Sequence, residues 1–247
     1  YFVGLLELTI KQTEAQFGPA KLVTTGEAPQ GRAMRQLGEL VDVYWAGTSH
    51  EREQNLLAVT IPLVKGLLGY RMPIIQKKQI SEFSRIETIS QLKKFTACQG
   101  LSWPDTKILE HAGIQVLKNT DYERMFKQVA IGRCSFFPRG IYEGISEVSA
   151  RKEVHPNLVL YSQLIIYYPF PMYYFVSKQN PQLHQRLTTG LEQLIDSGKF
   201  EQYFRSHPIT SKVFPLEQWQ TSRIIRLQNP ILPATTPINV DKYWLQL

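Results

Sequence analysis

The chain is expected to fold as an α/β protein of two lobes, each a mostly parallel sheet flanked by helices. Two observations carry that expectation. Helix-period and strand-period patterns alternate in two successive sets, one before residue 61 and one after residue 95, which is the order parallel sheets require. The chain also runs twice through extended, proline-bearing stretches, 61–75 and 167–176, which suit two crossings between lobes. Residues 1–72 and 174–247 would then form lobe one and residues 73–173 lobe two. Double crossings of this kind favour hinge closure over a small ligand.

Each element follows from local pattern. Residues 2–16 read as an amphipathic helix, with Leu5, Leu6, Leu8 and Ile10 on its apolar side and Gly18-Pro19 stopping it. Residues 21–25 read as a short strand. Residues 29–40 read as a helix, with Met34, Leu37 and Leu40 at helical spacing. Val41, Val43 and Trp45 then alternate with Asp42 and Tyr44, a strand that stops at Gly47-Thr48-Ser49. Ser49 is placed to cap the turn that carries Glu51 and Arg52.

The prolines and glycines of 61–75 argue against a central strand there. In the second set, 96–98 is a strand, and Ser102-Trp103-Pro104-Asp105 opens a helix to about residue 112. Residues 116–117 form a strand, and Asp121 caps a helix through 131. Residues 134–137 form a strand ending in Pro138-Arg139-Gly140, with a helix after it. Residues 158–161 are a strand, and the aromatic run 167–175 is mainly core. Residues 182–195 and 199–205 are helices, and 224–247 is a proline-bearing tail that wraps the surface with Trp244 as an anchor.

Composition narrows the function classes. With 43% hydrophobic and 20% charged residues, the chain has ample material for a core and no apolar run of the ~20 residues a membrane span needs. No targeting segment opens the chain, since Tyr1 to Leu6 is followed at once by Glu7; an exported protein would have lost its signal. The net charge of +7 is spread over the whole length without a basic block, so nucleic acid is not an expected partner. Cys98 and Cys134 lie in apolar runs outside any CxxC motif. Two buried thiols are the first expectation, and a bridge between them is the alternative in an oxidising compartment. The five histidines show no metal spacing, so no metal or cofactor is expected. No GxSxG, P-loop or nucleophile with an evident base is present, and an enzyme is not expected.

The order of motifs resembles the extracellular solute-binding proteins of family 3, the amino-acid-binding branch of the type 2 periplasmic binding fold. The matching stretches are Asp42-Val43-Tyr44-Trp45-Ala46-Gly47-Thr48-Ser49-His50-Glu51-Arg52, Ile61-Pro62-Leu63, residues 92–100, Ile131-Gly132-Arg133-Cys134, Tyr173-Tyr174-Phe175-Val176-Ser177-Lys178 and residues 191–204. The resemblance covers most of residues 1–206. It implies that Arg52 grips a ligand carboxylate with help from Gly47 and Ser49, and that residues 100–106 supply the grip from lobe two.

Two departures stand out. Where the family usually carries an aspartate for the ligand's amino group, this chain has Phe136-Phe137-Pro138-Arg139-Gly140, with Glu143 three residues on. The family's usual first strand and its aromatic stacking segment would precede Tyr1; either such a piece is lacking or the lobe-one sheet is built differently.

The expected ligand residues are Trp45, Gly47, Thr48, Ser49 and Arg52 from lobe one, Tyr70 and Arg71 at the crossing, and Ser102, Trp103, Asp105, Arg139 and Glu143 from lobe two. Guanidinium suits a carboxylate because it donates two parallel bonds. The plainer readings are a surface ion pair of Arg52 with Glu51 or Glu53, helix capping by Ser102 and Asp105, a core position for Trp103, and an Arg139–Glu143 pair at helical distance. The expected function is periplasmic binding of a small carboxylate-bearing solute by a monomer, for delivery to an ABC transporter. The alternatives are a sensor module for a membrane signalling partner, or a lyase or dehydratase on the same fold.

Overall fold

A computed structural model describes residues 1–26 and 28–247. In chain order the strands are β1 (Tyr44–Gly47), β2 (Leu56–Val59), β3 (Tyr70–Gln76), β4 (Ala97–Gly100), β5 (Val116–Asn119), β6 (Phe136–Gly140), β7 (Leu158–Leu160), β8 (Leu164–Tyr167), β9 (Met172–Ser177) and β10 (Arg223–Arg226). The chain gathers into two compact units. The first comprises Tyr1–Gly66, Pro171–Lys212 and Leu232–Gln246; the second comprises Leu67–Phe170, Val213–Ile231 and Leu247.

In the first unit the sheet order is β1-β9-β2, and both outer strands run antiparallel to β9. The α/β class holds, but the expected parallel pairing does not. The two strands that helix–strand alternation would place side by side are separated by the returning β9, which runs the other way between them. Every residue of β9 is buried. Its Tyr173 and Phe175 pack with Met34, Leu37 and Ala46.

The helix Phe2–Gln12 lies against the helix Pro181–Asp196, and a Cβ at Gly190 would stand 2.6 Å from the Thr9 carbonyl oxygen. Glycine is thus what lets these two backbones approach. Buried Arg186 donates to Thr13 Oγ1, the Ile10 carbonyl and the Gly18 carbonyl, and so satisfies acceptors at the end of the first helix.

Three local expectations are corrected here. Residues 21–25 form no strand and pair with none among the described residues, and Val23 is 79% exposed. The helix expected over 29–40 is confined to Gln30–Arg35, because the chain turns at Gly38 with φ +92° and the N–H of Val41 returns to the Gln36 carbonyl. The helix expected over 2–16 ends at Gln12, and a short helix, Glu14–Phe17, follows it.

The second unit holds a mixed sheet of order β10-β8-β3-β6-β4-β5, with β7 also on β3. β4 pairs parallel with β5 and β6, and β10 pairs parallel with β8, whereas β3 is antiparallel to β6, β7 and β8. The stretch expected to avoid a central strand therefore supplies one. Pro73 of β3 sits opposite Pro138 of β6, so the two residues that cannot donate share a rung. The segment 213–231, expected with lobe one, belongs to this unit because β10 extends its sheet along β8 in register Arg223↔Leu164 to Arg226↔Tyr167.

Cys98 of β4 and Cys134, just before β6, are joined in a disulfide with Cα atoms 5.7 Å apart. The expected thiols are thus a bridge, because β4 and β6 are neighbours in the sheet and bring the pair within bridging range. It is buried among Ile74, Met125, Phe126, Val129 and Phe137.

Candidate functional site

In the first unit β1 ends at Gly47, and two residues separate it from the helix His50–Asn55. Ser49 caps that helix: its Oγ accepts the N–H of Arg52 at 3.2 Å. The Arg52 guanidinium folds back over the turn. Its Nη1 donates to the Gly47 carbonyl at 2.6 Å and its Nη2 to Gln30 Oε1 at 2.7 Å. Buried Thr48 donates through Oγ1 to Glu53 Oε1 at 2.5 Å, and Thr235 donates to the other oxygen of the same carboxylate at 3.1 Å. Trp45 is held in an aromatic stack, its ring 5.3 Å from that of Phe2 and 5.5 Å from that of Tyr44. Burial pushes the Tyr44 hydroxyl above its ordinary pKa, and the nearby Arg52 charge opposes that rise. Gly47, Thr48, Ser49 and Arg52 are therefore brought together. Gln30, Glu53 and Thr235 join them; the sequence marks Glu53 only as an ion-pair partner for Arg52, and nothing in the linear pattern marks the other two.

In the second unit a buried ionic cluster collects four of the expected residues. Arg71 of β3 is 2% exposed and donates to Asp105 Oδ2 at 2.7 Å, with Glu143 Oε2 at 3.6 Å from its Nη1. Gln99 and Tyr168 also donate to Asp105 Oδ2, at 2.8 and 3.3 Å. Arg139 of β6 is 6% exposed. Its Nη2 lies 3.0 Å from Glu143 Oε2, and it clasps Glu147 with two bonds, of 2.8 Å from Nε and 2.7 Å from Nη2. The rings of Trp103, Tyr122 and Phe137 surround the Arg139 guanidinium at 5.0 to 5.5 Å. Tyr122 donates its hydroxyl to Glu147 Oε1 at 2.5 Å.

Burial opposes charge on both arginines. The anionic and hydroxyl groups around them outweigh it, Tyr168, Asp105 and Glu143 at Arg71 and Glu143 and Glu147 at Arg139, and hold both above the ordinary guanidinium value. Burial would likewise raise the Glu147 pKa, but Arg139 and the Tyr122 hydroxyl hold it below the usual carboxylate range. The donors of Arg139 are thus spent inside the unit, on Glu143 at helical spacing and on Glu147, a residue the sequence did not mark. Asp105 is an ion-pair partner here, and Pro104 occupies the cap position of its helix.

The remaining expected residues are placed as follows. Ser102 is exposed on the turn after β4. Trp103 packs over Gly100, where an added Cβ would meet its indole at 2.5 Å. Tyr70 is buried, with its ring 4.4 Å from that of Tyr167 and its hydroxyl oxygen accepting the N–H of Leu247 at 3.4 Å. A groove of about 440 Å³ in the first unit is lined by Glu7, Ile10, Lys11, Glu14 and residues 20–22, so it lies away from the Arg52 turn. Among the described residues no cluster of three histidine, cysteine or acidic side chains is arranged to hold a metal. No helix among them is long and apolar enough to cross a membrane.

No protein-family model matches the chain, and no curated protein matches it. Solved structures do. An ancestral arginine-binding protein bound to arginine superposes with a TM-score of 0.62 at 16% identity, covering 86% of each chain. A histidine kinase sensor domain with similarity to periplasmic binding proteins gives 0.60 at 16% identity, covering 85% of each. A periplasmic binding protein of high arginine specificity from Salmonella typhimurium gives 0.60 at 14% identity, covering 81% of this chain and 85% of its own. At these identities the likeness is one of architecture, and the chain has the fold of the periplasmic amino-acid-binding proteins.

Proposed function

We propose that this protein binds a small carboxylate-bearing, amino-acid-like solute in the periplasm, as a monomer, and delivers it to an ABC transporter. The observation that carries this reading is the Arg52 turn. Its guanidinium is oriented by the Gly47 carbonyl, and its second amine rests on the neutral side chain of Gln30. A solute carboxylate in place of the Gln30 carbonyl would exchange a bond to a neutral acceptor for an ion pair that guanidinium can clasp with two parallel bonds. The fold, shared with proteins that bind amino acids, supports the same reading.

A sensor for a membrane signalling partner is the second reading, and the likeness to a kinase sensor domain favours it. Catalysis has less support, because the acids proposed for it, Asp105 and Glu143, are tied to Arg71 and Arg139. The test is a thermal-shift screen of amino acids and dicarboxylates on the wild-type protein and on Arg52→Ala. A rise in melting temperature that the variant loses supports the reading. No rise with any carboxylate, or one indifferent to Arg52, overturns it.

A further inference from the structure

The Arg52 turn is tied to a stretch of chain that lies far from it in sequence. Thr48 is buried between Gly47, whose carbonyl orients the guanidinium, and Ser49, whose hydroxyl caps the helix. A hydroxyl at that depth needs a partner, and Thr48 finds it in Glu53 Oε1 at 2.5 Å. The other oxygen of Glu53 accepts the Thr235 hydroxyl at 3.1 Å, across 182 residues of chain. One carboxylate thus joins the turn to residue 235.

Thr235 is exposed and lies in no helix or strand, so its place is fixed by the segment around it, 232–246 of the first unit. Tight turns hold 233–238: the N–H of Thr236 donates to the Pro233 carbonyl at 3.0 Å and that of Ile238 to the Thr236 carbonyl at 2.8 Å. Trp244 donates its indole N–H to the Pro237 carbonyl at 2.8 Å, and its ring lies over Gly66, where an added Cβ would stand 2.3 Å from it. The N–H of Leu245 donates to the Lys65 carbonyl at 2.8 Å. Lys242 pairs with Glu192 and Asp196 of the helix Pro181–Asp196, at 2.7 and 3.2 Å. The segment is therefore a strap, pinned at residues 65–66 and on that helix at one end and touching Glu53 at the other. A glutamate held at both oxygens keeps one rotamer; released at one, it regains side-chain freedom and holds Thr48 less well.

We propose that this strap is a positioning device for the Arg52 turn, and that Thr235, acting through Glu53 and Thr48, sets the turn's affinity for a solute carboxylate. Trp244 serves the same end by anchoring the strap. This rests on the function proposed above and adds to it a dependence on residues 232–246.

The test joins hydrogen exchange with calorimetric titration on wild type, Thr235→Val, Thr235→Ser and Trp244→Ala, with melting curves to show that each is folded. The amides of Thr48, Arg52 and Glu53 report the turn, since they donate to the Pro171 carbonyl, Ser49 Oγ and the Ser49 carbonyl. Thr235→Val and Trp244→Ala are expected to exchange about tenfold faster across residues 48–53, as loss of a hydrogen bond to an ionised group warrants, with residues 97–100 of β4 unchanged. Succinate, glutamate and arginine are the carboxylate probes, and a probe that binds wild type should bind both variants about three- to tenfold more weakly. Thr235→Ser, which keeps the hydroxyl, should restore both readouts. Unchanged exchange across 48–53, or faster exchange with unchanged affinity, overturns the strap's role and leaves the carboxylate reading standing. Absence of binding by all three probes to wild type overturns the carboxylate reading and the strap's role with it.

Discussion

Arg139 and Tyr173 show opposite outcomes of burying a polar side chain. Arg139 is tied to Glu143 and Glu147 in the second unit, so Arg139→Ala would take the guanidinium clasp from Glu147 and the nearer of two guanidinium partners from Glu143, and is expected to cost about 3–5 kcal/mol in urea unfolding. Glu147 gives that cluster a pH signature. Its folded pKa is depressed, so it contributes stability above the unfolded value of about 4.3 that is lost as pH falls through the folded value. Acid unfolding below about pH 4 should therefore be less steep in Glu147→Gln than in wild type, and equal slopes would mean the Arg139–Glu147 clasp contributes nothing. The Tyr173 hydroxyl makes no regular hydrogen bond among the described residues, only a close approach to Thr236, so Tyr173→Phe should change the melting temperature little. Tyr174→Phe, which breaks the bond to Phe2, should cost about 1 kcal/mol.

At the scale of elements, the Cys98–Cys134 bridge links β4 to the entry of β6 across 36 residues of chain. Reduction, or the paired Cys→Ser variant, is expected to lower unfolding stability by about 2–4 kcal/mol, read as a shift of the urea midpoint. Elements with one strong local signal were legible in the sequence: the turn after β1 with its Ser49 cap, the Asp121 cap of the helix Tyr122–Ala130, and the paired helices near the end of the first unit. What failed was set by distant partners. The direction of β9 between β1 and β2, Pro73 facing Pro138, and β10 lying on β8 all depend on residues far apart in the chain, and periodicity does not report them. Residues 21–25 carry strand-forming types but meet no neighbouring strand among the described residues, so propensity alone did not make them one. The candidate site divides the same way. Arg52 and Ser49 are three residues apart and readable, whereas the Glu53–Thr235 and Arg71–Asp105 contacts span 182 and 34 residues.

For the whole molecule, the fold is the established part and solute binding is the claim built on it. Arg71 and Arg139 of the second unit are locked into carboxylates, while Arg52 of the first rests partly on an amide that a stronger acceptor can replace. The most direct measurement is a titration of amino acids and dicarboxylates into the wild-type protein and into Arg52→Ala, with melting curves to show that both are folded. Saturable binding by wild type, weakened at least tenfold in a folded Arg52→Ala, is the expected result. Binding of equal strength in both proteins, or none in either, would contradict it.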